Sequence, residues 1–375
     1  MRLLLAPNAF KGSFSAVEVA EIWAAALAGR PDRVLDVVPM SDGGDGFAEV
    51  IRRHRAGALE VAARARDALG RPLAAAWTWD PAADVAYVES ARAIGLARLT
   101  PEERDPRVAS SAGLAGLLRA AAATAPREIV VGLGGSATVD GGWGLAAALG
   151  FRFAAEGGGV VESPADLPRL AGIEPPAAPA LPPGIRLIAL ADVASPLLGP
   201  RGAAAVFGPQ KGAGPEAVQR LERGLERLAE RWTADLDAPR DLAGRAGAGA
   251  AGGLGAGLAA FLGARLEPGA AAVARRAGLE AALARADGVL TGEGRYDDQS
   301  AAGKATGAVV AAARARGVPV VVICGESALA PSDPGVTVLD ARDLTPRPDG
   351  PLGPPDLAAL AARAADRLAA AAARR

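Results

Sequence analysis

Several residue types are nearly missing from this 375-residue chain, and each absence excludes something. There is one cysteine, Cys324, so no internal disulfide can form and a cytoplasmic, reducing location is expected. There is one histidine, His54, in the basic run Arg52-Arg53-His54-Arg55, where it reads as a solvated surface residue. A Ser-His-Asp hydrolase and a histidine-bound zinc site are therefore excluded. No apolar run reaches 18 residues, and Leu3-Leu4-Leu5 stops at Pro7-Asn8, so neither a membrane span nor a signal peptide is expected. Net charge is also lacking: 41 basic residues nearly cancel 42 acidic ones, which excludes a strongly basic nucleic-acid binder and a charge-driven disordered chain.

Lysine is the most informative scarcity. Arginine supplies almost all the positive charge, and only Lys11, Lys211 and Lys304 remain, with Asn8 the only asparagine. Where Arg has replaced Lys wherever a generic charge suffices, the lysines left are candidates for specific work. All three adjoin glycine: Lys11-Gly12, Lys211-Gly212 and Gly303-Lys304. A compact ammonium beside backbone that can approach closely suits phosphate, and Arg does not substitute freely there.

What is present is a half-apolar chain long enough for two domains with real cores. Short apolar runs predict strands at Leu3–Ala6, Val34–Val38, Val85–Val88, Ile129–Val131, Leu187–Leu190, Val289–Leu290, Val320–Ile323 and Val336–Leu339. Continuous runs of this length suit strands buried on both faces. Ser15-Ala16-Val17-Glu18 is a capping box opening a helix that Gly29 can close, and Thr100-Pro101-Glu102-Glu103 repeats the signal. Val218, Leu221, Leu225, Leu228 and Trp232 fall at helical spacing, and an Ala/Arg-rich helix runs from Asp356 to the C-terminus. Pro164 to Gly184 reads as a loop or linker. Strand–loop–helix alternation predicts α/β architecture, in which ligands bind beyond the carboxyl ends of the strands.

Those ends carry the chemistry. Pro7-Asn8-Ala9-Phe10-Lys11-Gly12-Ser13 leads into a capped helix, a natural anion site reinforced by Lys11. Ser41-Asp42-Gly43-Gly44-Asp45-Gly46 sets two carboxylates after a strand, able to hold Mg²⁺ or take a proton from a hydroxyl. Gly132-Leu133-Gly134-Gly135-Ser136-Ala137-Thr138 could cradle phosphate oxygens on backbone amides, with Ser136 or Thr138 adding hydroxyls, although it is no Walker loop. Thr291-Gly292-Glu293-Gly294-Arg295-Tyr296-Asp297, running on to Gly303-Lys304, adds acids for metal or base work and an Arg for a carboxylate. Gly247-Ala248-Gly249-Ala250-Ala251-Gly252 satisfies G-x-G-x-x-G literally, but Pro239 to Arg245 before it is not a strand, which argues against a dinucleotide site. Cys324 follows a buried strand and reads as a small core residue. Glycine loops, three lysines and clustered acids without a catalytic His or Cys are suited to phosphoryl transfer.

At these residues the chain resembles the bacterial glycerate kinases of the glycerate 2-kinase type, of glyoxylate and glucarate catabolism. The likeness rests on Phe10-Lys11-Gly12-Ser13, Asp42-Gly43-Gly44, Arg104-Asp105-Pro106, Gly134-Gly135-Ser136-Ala137-Thr138 with Asp140-Gly141-Gly142, and Asp192-Val193. It continues through Phe207-Gly208-Pro209-Gln210-Lys211-Gly212 and Thr291-Gly292-Glu293-Gly294 with Gly303-Lys304. Departures include Asn8 for a usual Asp and Asp45 for a usual Glu. The resemblance implies ATP-dependent, Mg²⁺-assisted phosphorylation of D-glycerate, with 2-phosphoglycerate the favoured product. It implies a flavodoxin-like parallel-sheet domain from residues 1–55 plus 285–375. An inserted α/β domain resembling a restriction-endonuclease core would span 56–284, with the active site in the cleft between them. Lys11, Asp42, Asp192 and Lys304 are then the expected catalytic residues. Gly134, Gly135, Ser136, Thr138 and Lys211 would bind nucleotide phosphate, and Arg295, Glu293 and Ser13 the substrate. Asp42, Asp192, Glu293 and Asp297 are the expected metal ligands. Neither nucleic acid nor membrane is an expected partner, and a homodimer is left open. The alternatives are a nicotinamide-dependent oxidoreductase using Gly247 to Gly252 and a non-catalytic sugar-acid sensor.

Overall fold

The computed structural model describes every residue except 192, 298–299, 301–303, 329–335, 345–349, 351 and 373–375. Among the described residues the strands, in chain order, are β1 (Arg2–Pro7), β2 (Val34–Val37), β3 (Leu59–Arg66), β4 (Pro72–Asp80), β5 (Val85–Glu89), β6 (Glu128–Gly132), β7 (Arg152–Ala155), β8 (Leu170–Glu174), β9 (Arg186–Ala191), β10 (Arg265–Pro268), β11 (Gly288–Tyr296), β12 (Val320–Ser327) and β13 (Val336–Leu339). The chain forms two compact units. One comprises Met1–Asp42, Glu49–Ala56 and Gly269–Arg375; the other comprises Gly43–Ala48 and Gly57–Pro268.

In the first unit both chain ends build one sheet in the order β13-β12-β11-β1-β2, with every pairing parallel. Numbered along this unit the order is 2-1-3-4-5, the flavodoxin-like winding. The uninterrupted apolar runs follow from burial on both faces. Leu3, Leu5, Leu290, Val321 and Ile323 pack against Trp23 and Leu27 of the helix Ala16–Leu27 and Leu357 and Leu360 of the helix Pro354–Ala372. Leu4, Ala6, Val289, Val322 and Cys324 pack on the opposite side against Leu279, Leu283, Val309 and Ala313. Each fully buried Leu or Val contributes roughly 1.5–3 kcal/mol.

The second unit holds a six-stranded mixed sheet, β10-β9-β6-β5-β4-β3. Strands β3, β4 and β5 form an antiparallel meander, and β5, β6, β9 and β10 are parallel. Leu114, Leu117 and Leu118 of the helix Leu114–Ala122 cover Val88, Ile129 and Val131. A separate core gathers Trp143, Phe153 and Trp232 around Phe261, with edge-to-face ring contacts at 5.8 Å from Phe261 to Phe153 and to Trp232. The predicted amphipathic helix spans Pro215–Asp235 and buries Leu221, Leu225, Leu228 and Trp232.

Four local expectations are corrected. The capping box at Thr100 forms, but only a 3₁₀ turn, Pro101–Glu103, follows it. Asp105 precedes Pro106, and the residue before a proline is driven out of the α region. The segment read as a linker carries the 3₁₀ stretch Pro164–Arg169 and strand β8. Strands β3 and β4 were not expected, because their alanines have little intrinsic strand preference. His54 is half-buried, its Nε2 lies 3.1 Å from the Pro39 carbonyl oxygen, and burial lowers its pKa. No helix among the described residues is long and apolar enough to cross a membrane.

Candidate active site

The loop after β1 is tied down at both ends. The Asn8 amide continues the sheet by donating to the Gly292 carbonyl at 2.8 Å, and Phe10 is buried. Phe10 and Phe14 close a tight turn (Phe10 N to Phe14 O 2.9 Å, Phe14 N to Phe10 O 3.0 Å) that leaves Lys11, Gly12 and Ser13 exposed. Gly12 has φ +83°, which only glycine adopts without strain. The following helix is capped by its own residues: Ser15 Oγ accepts from the Glu18 amide at 3.2 Å, and Glu18 Oε2 accepts from the Ser15 amide at 2.7 Å. Anion attraction in this loop therefore falls to Lys11 more than to the helix end.

A cavity of about 440 Å³ opens at the carboxyl ends of these strands, and Lys11, Ser13, Glu293, Arg295, Asp297 and Lys304 are among the residues lining it. Glu293 is 8% exposed, and its Oε1 has no hydrogen-bond partner among the described residues. Burial raises its pKa; the hydroxyls of Thr306 and Ser300 and the charge of Lys304 work against this, and the charge of Asp42 adds to it. Asp42 is itself buried. Asp42, Glu293 and Lys304, far apart in sequence, thus share one electrostatic environment. Asp297 holds the turn ahead of Lys304: its Oδ1 accepts from the Ser300 amide at 3.1 Å and from the Ser300 hydroxyl at 3.3 Å. Arg295 reaches Asp297 at 3.8 Å while its side chain stays 65% exposed, so the guanidinium is available to a ligand. Lys304 stands at the N-cap of the helix Ala305–Ala315. Glu326, on the cavity wall at the end of β12, was not expected; its only signal was an acid after a strand.

The glycine loop after β6 belongs to the second unit, where much of its glycine content answers to packing. A Cβ on Gly134 would come within 2.5 Å of the Gly44 Cα, and one on Gly132 within 2.4 Å of the Gly43 carbonyl oxygen. Gly43 and Gly44 thus meet Gly132 and Gly134 backbone to backbone. Gly135 (φ +76°) turns against the Asp45 carboxylate, whose oxygens lie 2.7 and 2.8 Å from where a Cβ would stand. Among the described residues the amides of Gly134, Gly135 and Ser136 donate to no protein group, leaving three successive N–H donors at a partly exposed turn. Such a set can take phosphate oxygens. Lys211 is only 3% exposed and lies beneath this loop, donating to the Thr138 carbonyl at 2.8 Å and the Ser136 hydroxyl at 3.2 Å. The Thr138 side chain is fully buried.

Asp140, at the end of the same motif, has a structural role that sequence reasoning missed. It is fully buried, and its carboxylate accepts from the Ser111 amide (2.8 Å), the Ser111 hydroxyl (2.7 Å), the Gly142 amide (3.1 Å) and the Gly144 amide (3.2 Å). Ser111 Oγ in turn accepts from the Leu145 amide at 2.9 Å. The pair ties the start of the helix Leu114–Ala122 to that of the helix Trp143–Ala148. Desolvation raises the Asp140 pKa against these four donors.

Asp192 lies outside the described residues. The Gly247–Gly253 segment is not a dinucleotide loop. A 3₁₀ turn, Leu242–Gly244, precedes it, and a Cβ on Gly249 or Gly252 would come within 2.2 Å of the Pro196 carbonyl or 2.0 Å of the Thr138 carbonyl. These glycines serve backbone packing. Cys324 is buried, and desolvation pushes its thiol up to about 12.

Among the described residues no three His, Cys, Asp or Glu side chains cluster as a ready-made metal cage. A nucleotide-bound Mg²⁺ needs only one or two protein carboxylates, the remaining ligands being phosphate and water. Asp42 and Glu293 can supply these, with Glu293 Oε1 buried and open to a ligand.

Residues 3–373 match the glycerate kinase family. The chain is similar to the glycerate 2-kinase of Escherichia coli (strain K12), at 36% identity over 87% of this chain and 85% of that protein. It is also similar to the glycerate kinase of Halalkalibacterium halodurans, at 36% identity over 86% of this chain and 85% of that protein. A crystal structure assigned as glycerate kinase 2, from Salmonella typhimurium LT2, superposes with a TM-score of 0.80 at 34% identity, covering 100% of this chain and 98% of that one.

Proposed function

Because this chain belongs to the glycerate kinase family, we propose that it transfers the γ-phosphoryl group of ATP to D-glycerate, with the 2-hydroxyl as acceptor. The match over residues 3–373 carries the activity, and the cavity of the first unit supports the assignment of residues. Glycerate is a small anion with two hydroxyls. Arg295 takes its carboxylate by a two-pronged hydrogen bond, and Ser13 and Glu293 contact its hydroxyls. A carboxylate, Asp42 or Asp192, accepts the proton of the reacting hydroxyl as its oxygen attacks the γ-phosphorus and ADP departs.

Lys11 and Lys304 neutralise the charge that builds on the transferring group, since phosphoryl transfer asks for positioning and charge compensation more than covalent chemistry. The Gly134, Gly135 and Ser136 amides bind phosphate oxygens, and Lys211, with its ammonium under the loop, keeps them in place while adding positive potential. When bound, Mg²⁺ offsets phosphate charge; Asp42 and Glu293, with Asp192 and Asp297 as further candidates, are the side chains that would hold it.

Phosphorus NMR of the products from D-glycerate, ATP and Mg²⁺ tests the reading. A 2-phosphoglycerate signal is expected. A 3-phosphoglycerate signal would keep the kinase and reverse the substrate in the cavity, and no phosphorylated product from folded protein would overturn the proposal.

A further inference from the structure

The segments lining the cavity of the first unit close up through glycine. A Cβ on Gly294 would stand 3.5 Å from the Lys11 amide nitrogen, and one on Gly325 only 2.8 Å from the Gly294 carbonyl oxygen. Beside these contacts stand Lys11, Arg295 and Glu326, on neighbouring segments in the order that the sheet sets, β12-β11-β1. Arg295 and Glu326 are direct partners in the parallel pairing of β11 with β12. Residues paired in this way stand on the same face of a sheet, on strands about 4.7–4.9 Å apart. Both line the cavity.

The fold makes no use of the Glu326 carboxylate. The residue is exposed, and among the described residues its side chain makes no hydrogen bond or ion pair. Arg295 leans instead towards Asp297, at 3.8 Å. An acid beside an arginine weakens the hold of that arginine on an anion, by Coulomb repulsion between acid and ligand. In a cavity that takes an anionic substrate, such an acid is a cost unless it recognises another part of the same molecule.

We propose that Glu326 is a specificity residue: its carboxylate accepts a hydrogen bond from the 3-hydroxyl of D-glycerate while Arg295 holds the carboxylate of the same molecule. This rests on the glycerate kinase reading above and deepens it. A three-carbon acid has the length to bridge two side chains on adjacent strands. With the 3-hydroxyl tied to Glu326, the 2-hydroxyl is the one left to give its proton to the base and attack phosphorus. The same charge selects against competitors. A 2-hydroxy acid with a second carboxylate in place of the hydroxymethyl group sets one anion against another, and one with a methyl group there leaves Glu326 without a donor.

Kinetics of the full chain with ATP and Mg²⁺ test this. D-glycerate is the substrate, and hydroxymalonate and D-lactate are competitive inhibitors, whose Ki reads binding whether or not they react. Glu326→Gln removes the charge and keeps an acceptor oxygen, and the exposed position leaves the fold unaffected, as an unchanged circular dichroism spectrum should confirm. The variant should lower kcat/KM for D-glycerate about five- to tenfold, because a hydrogen bond to a neutral acceptor is weaker than one to a carboxylate. It should also lower the Ki of hydroxymalonate about tenfold, by removing the like charge. The Ki of D-lactate, which has no 3-hydroxyl, should not rise. A merely structural residue would weaken all three acids alike. The proposal is overturned, with the kinase reading intact, if kcat/KM for D-glycerate is unchanged, if the hydroxymalonate Ki does not fall, or if the D-lactate Ki rises as much as D-glycerate loses. A parent protein that does not phosphorylate D-glycerate overturns both.

Discussion

Ser111→Ala isolates the stitch formed with Asp140. The lost hydroxyl donates to Asp140 Oδ2 at 2.7 Å and accepts from the Leu145 amide at 2.9 Å, both in the buried interior. Removing it deprives a buried carboxylate of a charge-assisted bond, worth about 1.5–3 kcal/mol, and orphans a buried amide at a cost of about 1–3 kcal/mol. Taking the lower part of each range, the second unit should lose about 3 kcal/mol. Ser110→Ala is the control: among the described residues its Oγ accepts only from the Ala112 amide, at 3.2 Å on a half-buried turn, and such caps contribute about 1 kcal/mol. Urea unfolding followed by tryptophan fluorescence suits the measurement, because Trp77, Trp79, Trp143 and Trp232 lie in the second unit and only Trp23 in the first. At a slope of about 2–3 kcal/mol per molar, the Ser111→Ala midpoint should fall by roughly 1 M. A midpoint equal to that of Ser110→Ala would show that the buried hydroxyl contributes nothing special.

Lys11→Ala and Asp42→Asn should each lower kcat/KM at least about a hundredfold with an unchanged circular dichroism spectrum; near-full activity in either variant removes that residue from the site. Glu293→Gln should abolish most activity yet raise thermal stability at neutral pH. The folded-state pKa of Glu293 is raised, so the stability favouring its neutral form is complete below the unfolded value of about 4.3 and is lost as pH rises through the folded value. The melting-temperature gain of the glutamine variant should therefore shrink to nothing below about pH 4.3, and a gain that persists there contradicts burial as its cause. The Cys324 thiol, pushed up to about 12, should not react with a disulfide reagent at pH 8 until urea exposes it, whereas rapid reaction of the folded protein would contradict its burial.

The unevenness of what could be read from the chain has physical causes. The strands of the parallel sheet were legible because burial on both faces demands continuous apolar runs, as in Leu3-Leu4-Leu5 and Val320-Val321-Val322-Ile323. The helix Ala16–Leu27 was legible because its start is encoded locally by Ser15 and Glu18. Strands β3 and β4 were not, since alanine writes no strand signal and their pairing was set by each other and by the helix above them. The box at Thr100 misled because Pro106 truncated what it began.

The same division runs through the candidate site. Local sequence alone singled out Lys11, Lys304, Glu293 and Arg295, because scarce lysines and acids beside glycines at strand ends stand out in an Arg- and Ala-rich chain, and the fold sets all four around one cavity. Residue type and spacing also sufficed for the α/β class and for the exclusion of histidine and disulfide chemistry. Tertiary structure alone decided which glycines are needed for backbone contact, as at Gly134 against Gly44 and Gly252 against Thr138, because close approach depends on what the chain meets, not on what flanks it. It alone placed the Lys211 ammonium beneath the loop and brought Ser111 to Asp140, since burial and hydrogen-bond partners arise from contacts between segments that the linear order does not contain.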